Sequence, residues 1–117
     1  MPGIRQYYAK GRLKPGALNK TEEAYRQHLE IRKQAGEILW YRFEGIRLVL
    51  AKGCSYTPDF AVMLPDGTIE LHEVKGARAL FRDDARVKVK MAAELFPFKI
   101  LVVYPKPRKT GWETEAV

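Results

Sequence analysis

The chain has 117 residues, with 21 Lys and Arg against 14 Asp and Glu, for a formal charge of +7. That length fits one domain that can bury a core without disulfide or metal staples. Hydrophobic residues at 46% and charged residues at 30% exclude wholesale disorder. No apolar run approaches the roughly 20 residues of a bilayer span, so no membrane partner is expected. The basic stretch at Met1–Lys14 precedes no apolar segment, and a secretory signal is not expected. Cys54 is the lone cysteine, which leaves no internal disulfide or zinc spacing and suggests a reducing cytoplasm. The charge runs +4 over residues 1–18, −1 over 19–75, +6 over 76–110 and −2 over 111–117. Acids therefore concentrate in the middle and bases flank them, which suggests a polyanionic partner.

Residues 1–18 carry Arg5, Lys10, Arg12 and Lys14 among three glycines and two prolines and read as a flexible basic arm. Asn19 followed by Glu22 has capping-box spacing and predicts a helix that ends near Ala35, with Gly36 as its stop and Tyr25 and Leu29 on its buried stripe. Residues 38–50 predict one strand, with a bulge or bend at Gly45, and residues 52–55 predict a turn. Residues 56–63 and 68–75 predict two more strands, joined by a Pro65-Asp66-Gly67 hairpin. A second helix is expected from Asp83 or Asp84 to Phe96, with Ala85, Val89, Ala92, Ala93 and Phe96 on one face. Residues 98–104 read as a buried strand and residues 105–117 as a flexible tail. The expectation is a single α+β (α/β) domain at 19–104 in the order α-β-β-β-α-β, with a mixed sheet flanked by helices.

The chemistry centres on the hairpin. Strand alternation puts Glu73 and Lys75 on one face, and the hairpin brings Asp59 beside them. Two carboxylates at one sheet end repel unless they share a cation, and Mg²⁺ or Mn²⁺ suits hard oxygen ligands. Such a cation acidifies water and stabilises charge on a phosphodiester oxygen, while Lys75 orients or polarises that water.

Pro58-Asp59 and Glu73-Val74-Lys75 resemble the PD-(D/E)xK signature of the restriction-endonuclease-like nucleases, whose core has this same element order. Within that superfamily the chain is similar to a small phage and prophage family of unknown function. The matching segments are Asn19-Lys20-Thr21-Glu22, Ala35-Gly36-Glu37-Ile38, Tyr56-Thr57-Pro58-Asp59-Phe60 and His72-Glu73-Val74-Lys75-Gly76. The resemblance implies Asp59, Glu73 and the Val74 carbonyl as metal ligands and Lys75 as the catalytic lysine. It implies Glu22 as a further carboxylate of the site; the alternative is that Glu22 is a capping-box residue with no part in the chemistry. It also implies a Mg²⁺- or Mn²⁺-dependent endodeoxyribonuclease in the cytoplasm of a bacterial host. Holliday-junction resolvases, restriction enzymes and repair nucleases share the motif.

Arg82, Arg86 and Lys90 recur every four residues on the second helix, and Arg78 follows the motif, so these four are the candidate phosphate contacts. Lys88 lies outside that row. His72 and Glu70 fall on the face opposite Glu73 and read as structural and solvated. A chain this short leaves no room for a separate sequence-reading domain, which points to DNA shape, such as a branched junction, and to a C2 homodimer. The rival expectation is a non-catalytic nucleic-acid-binding phage protein on the same fold.

Overall fold

The computed structural model describes residues 17–77 and 83–117. The arm up to residue 16, Arg78 and Arg82 lie outside the described residues. Helix α1 spans Lys20–Gln34 and starts on the expected capping box. The Glu22 amide donates to the Asn19 side chain at 2.7 Å, and the Asn19 amide donates to Glu22 Oε1 at 2.9 Å. Gly36 follows the helix at φ 78°, a left-handed conformation that a Cβ would strain.

Seven strands follow: β1 Trp40–Phe43, β2 Leu48–Ala51, β3 Cys54–Tyr56, β4 Phe60–Met63, β5 Ile69–Val74, β6 Lys99–Pro105 and β7 Trp112–Ala116. Helix α2, Asp83–Leu95, connects β5 to β6. A five-stranded sheet runs β1-β4-β5-β6-β7, and β2 and β3 form a separate two-stranded ribbon. The sheet is mixed, since β5 and β6 are parallel and the other neighbours antiparallel. The β4–β5 turn is the expected one. The Gly67 amide donates to the Leu64 carbonyl at 2.9 Å, Asp66 Oδ1 accepts from Thr68, and Gly67 takes φ 88°.

Each face of the sheet has its own core. Tyr25 and Leu29 of α1 pack with Ile38, Phe60, Val62, Val74 and Val103. Val89 and Ala92 of α2 pack with Leu48, Leu50 and Tyr56 of the ribbon and with Ala61, Leu71 and Ile100. Side chains alternate along a strand, so Leu71 and Glu73 share the α2 face while His72 and Val74 share the α1 face.

The α+β single domain is as expected, but three segments differ from the sequence reading. The strand expected over 38–50 is two strands. Glu44 takes φ 49°, a left-handed conformation that costs a non-glycine residue about 1 kcal/mol. Its amide still donates to the Asp59 carbonyl at 2.7 Å, the last bond of the β1–β4 register, and the left-handed φ there turns the chain out of the main sheet. Residues 54–56, assigned in part to a turn, return as β3. The tail expected to be flexible instead forms a short 3-10 turn at Pro107–Lys109 and the edge strand β7. The Trp112 ring meets Tyr25 edge-on at 4.9 Å, so β7 is anchored by α1 as well as by β6.

Candidate active site

Asp59, Glu73 and Lys75 meet at one end of the sheet. The β4–β5 register pairs Phe60 with His72, which carries Asp59, one residue before β4, to the end of β5. Asp59 Oδ2 accepts from the Val74 amide at 2.7 Å. A strand residue directs its amide and carbonyl to the same side, so the Val74 carbonyl faces the Asp59 edge too. Glu73 is buried, at 7% exposure. Its Oε1 accepts from the Tyr56 hydroxyl at 2.7 Å, and its Oε2 lies 3.1 Å from Lys75 Nζ.

Glu22 has two structural contacts. It closes the α1 capping box, and its carboxyl also lies against Asp59, close enough to act on that residue's ionisation. The helix start therefore delivers a third carboxylate to the cluster.

The cluster is electrostatically unfavourable as it stands. Burial pushes the Asp59 carboxyl up from 3.8 to about 9, and the charges of Glu73 and Glu22 push the same way against the Val74 amide bond. Burial, followed by the neighbouring Glu73 charge, also raises the Tyr56 phenol, which stays a donor to Glu73. A pH dependence follows. The folded chain holds a proton on Asp59 that the unfolded chain has lost, so this group lowers stability progressively as pH rises from about 3.8 to about 9. In EDTA, the urea midpoint of the wild type falls over that window, and Asp59→Asn flattens the fall. Parallel profiles for the two proteins would show that Asp59 carries no such burden.

The donor set is the hard-oxygen kind that Mg²⁺ or Mn²⁺ prefers: Asp59, Glu73, the Val74 carbonyl and, at the edge, Glu22. Among the described residues no three His, Cys, Asp or Glu side chains form a ready-made metal cage. Mg²⁺ is commonly held by one or two carboxylates with its remaining positions filled by water, and Asp59 and Glu73 match that smaller demand.

His72 lies on the opposite face, as alternation predicts. It is 1% exposed; its Nδ1 meets the Tyr25 hydroxyl at 2.7 Å, and its Nε2 meets Glu70 Oε1 at 3.1 Å. Glu70 is therefore a partner of a buried histidine rather than a solvated acid, and that bond holds its carboxyl below the usual range. Arg86 and Lys90 line an open groove beside α2 whose wall includes Val102, the β6 partner of Glu73, together with Glu94 and Glu115. Arg78 and Arg82 lie outside the described residues.

No protein-family model, curated protein or solved structure matches this chain. What the cluster can do follows from its own chemistry. Tyr56 is the site residue that the sequence reading missed. Its signal was its place in Tyr56-Thr57-Pro58-Asp59, but an aromatic beside a strand start ordinarily reads as core. Among the described residues no helix is long and apolar enough to cross a membrane.

Proposed function

We propose that this chain is a metal-dependent DNA endonuclease of the PD-(D/E)xK pattern that hydrolyses phosphodiester bonds, with branched or junction DNA as its preferred substrate. One observation carries the reading: half-buried Asp59 and buried Glu73 converge with Lys75 and the Val74 backbone at one sheet end, with Asp59 under a repulsion that a cation would relieve. Asp59, Glu73 and the Val74 carbonyl would hold Mg²⁺ or Mn²⁺, with Glu22 at the margin. Once bound, the cation supplies acidification of water and charge stabilisation on the phosphate.

The chain's own residues do the rest. Tyr56 fixes one Glu73 oxygen, so the carboxylate presents a set orientation. Lys75, 3.1 Å from the other oxygen, would donate to the attacking water and offset negative charge developing on the phosphate. Arg86 and Lys90 offer phosphate contacts one strand away, beside Val102.

A second reading, a nucleic-acid-binding protein without chemistry, draws on the fact that both Glu73 oxygens already have protein partners. A panel of labelled junction, flap, single-strand and duplex DNA with Mg²⁺, wild type against Lys75→Ala, separates the two. The nuclease reading expects cleavage by the wild type, fastest on the junction, and a loss of about 10²-fold or more in Lys75→Ala. Equal inertness of both proteins on every substrate supports the binding reading.

A further inference from the structure

We infer that the outward face of the β2–β3 ribbon, together with Lys88 of α2, forms a seat for the phosphate backbone of a nucleic-acid duplex flanking the carboxylate cluster. The inference rests on the nuclease reading for its assignment of that cluster.

The ribbon has two unlike faces. Leu48, Leu50 and Tyr56 turn inward and are buried against Val89 and Ala92 of α2. Val49 turns outward and is 61% exposed. On the outer side Arg47 Nε donates to Ser55 Oγ at 3.1 Å, and from α2 Lys88 Nζ donates to the Ser55 backbone carbonyl at 3.2 Å. Two cations thus converge on one residue, each steadied by a neutral oxygen. Among the described residues neither has a carboxylate partner. A cation ordered by neutral acceptors keeps its full charge for a phosphate.

The sequence reinforces the geometry. Residues 45–58 contain Arg47 and Lys52 and no acid, and residues 85–93 contain Arg86, Lys88 and Lys90 and no acid. These two stretches pack on one another. The groove on the other side of α2 differs, since Glu94 and Glu115 line it along with Arg86 and Lys90. The ribbon, with no acid over residues 45–58, is therefore the better match for a polyanion.

The seat is tied to the cluster through the ribbon's own backbone. Ser55 immediately precedes Tyr56, whose hydroxyl donates to Glu73. The outer ribbon face adds only small or apolar side chains at Val49 and Ala51, so its contacts are to phosphate and sugar, independent of base sequence.

The test is binding of a fluorescein-labelled blunt duplex in EDTA over a salt series, with cleavage in Mg²⁺ measured in parallel. Arg47→Ala/Lys88→Ala lowers the slope of log affinity against log salt by about 2, because each phosphate contact contributes roughly 0.9. Arg47→Lys/Lys88→Arg restores the slope. Lys33→Ala, in the last turn of α1 across the sheet, leaves it unchanged. Both substituted side chains are exposed, and circular dichroism checks that the variants fold. A wild type that cleaves DNA, with the double alanine variant keeping the wild-type slope, overturns the ribbon inference and leaves the nuclease reading standing. A ribbon-dependent slope in a wild type that cleaves nothing does the reverse.

Discussion

Phe60→Ala lowers the unfolding free energy by about 3–5 kcal/mol, the usual cost of deleting a buried aromatic ring and leaving its cavity. Phe60 is fully buried, and its ring lies 5.6 Å from Tyr25, 5.4 Å from Phe43 and 6.5 Å from Tyr41. It joins α1, β1 and β4 around one contact, so no single neighbour can collapse into the space. A domain of this size is stable by about 5–15 kcal/mol, so the loss takes a large share of the total. Urea titration gives the value directly. A change below about 1 kcal/mol would mean that the α1 face is not packed around this ring.

Asp59→Asn separates stability from activity. The amide keeps an oxygen to accept from Val74 and loses the charge that burial, Glu73 and Glu22 all oppose. The variant is therefore at least as stable as the wild type in EDTA, and more stable as pH rises toward 9. Its cleavage falls by about 10³-fold or more, since losing a charged metal ligand removes several kcal/mol of transition-state stabilisation. A structural acid would behave oppositely, losing stability on substitution and leaving any activity unchanged. Stability comes from urea titration and the rate from single-turnover cleavage, so the two effects are read independently.

Much of this was legible because it is local. Asn19 with Glu22 announced the α1 start, Pro65-Asp66-Gly67 announced the hairpin, and the hairpin with strand alternation placed Asp59 beside Glu73 and Lys75. What escaped was set by contacts distant in sequence. The chain leaves β1 at Glu44 through a left-handed φ, just past its pairing with β4, and a glutamate does not announce that conformation. β7 reads as a polar tail because Glu113, Thr114 and Glu115 carry no strand pattern. It exists because β6 has a free edge and Tyr25 offers a surface to Trp112. Tyr56 looks like core and is core, while its hydroxyl reaches Glu73 from a ribbon that the sequence merged into its neighbours. The double use of Glu22 shows the same limit. The capping box was visible, and its proximity to Asp59 required the packed sheet.

The most direct test of the central claim is cleavage of an end-labelled four-way junction by the wild-type chain in Mg²⁺, beside the same reaction in EDTA and beside Asp59→Asn in Mg²⁺. The account predicts strand cleavage in the first reaction and intact DNA in the other two. Intact DNA in all three reactions, and again with Mn²⁺ in place of Mg²⁺, would contradict it, as would equal cleavage by the wild type and Asp59→Asn.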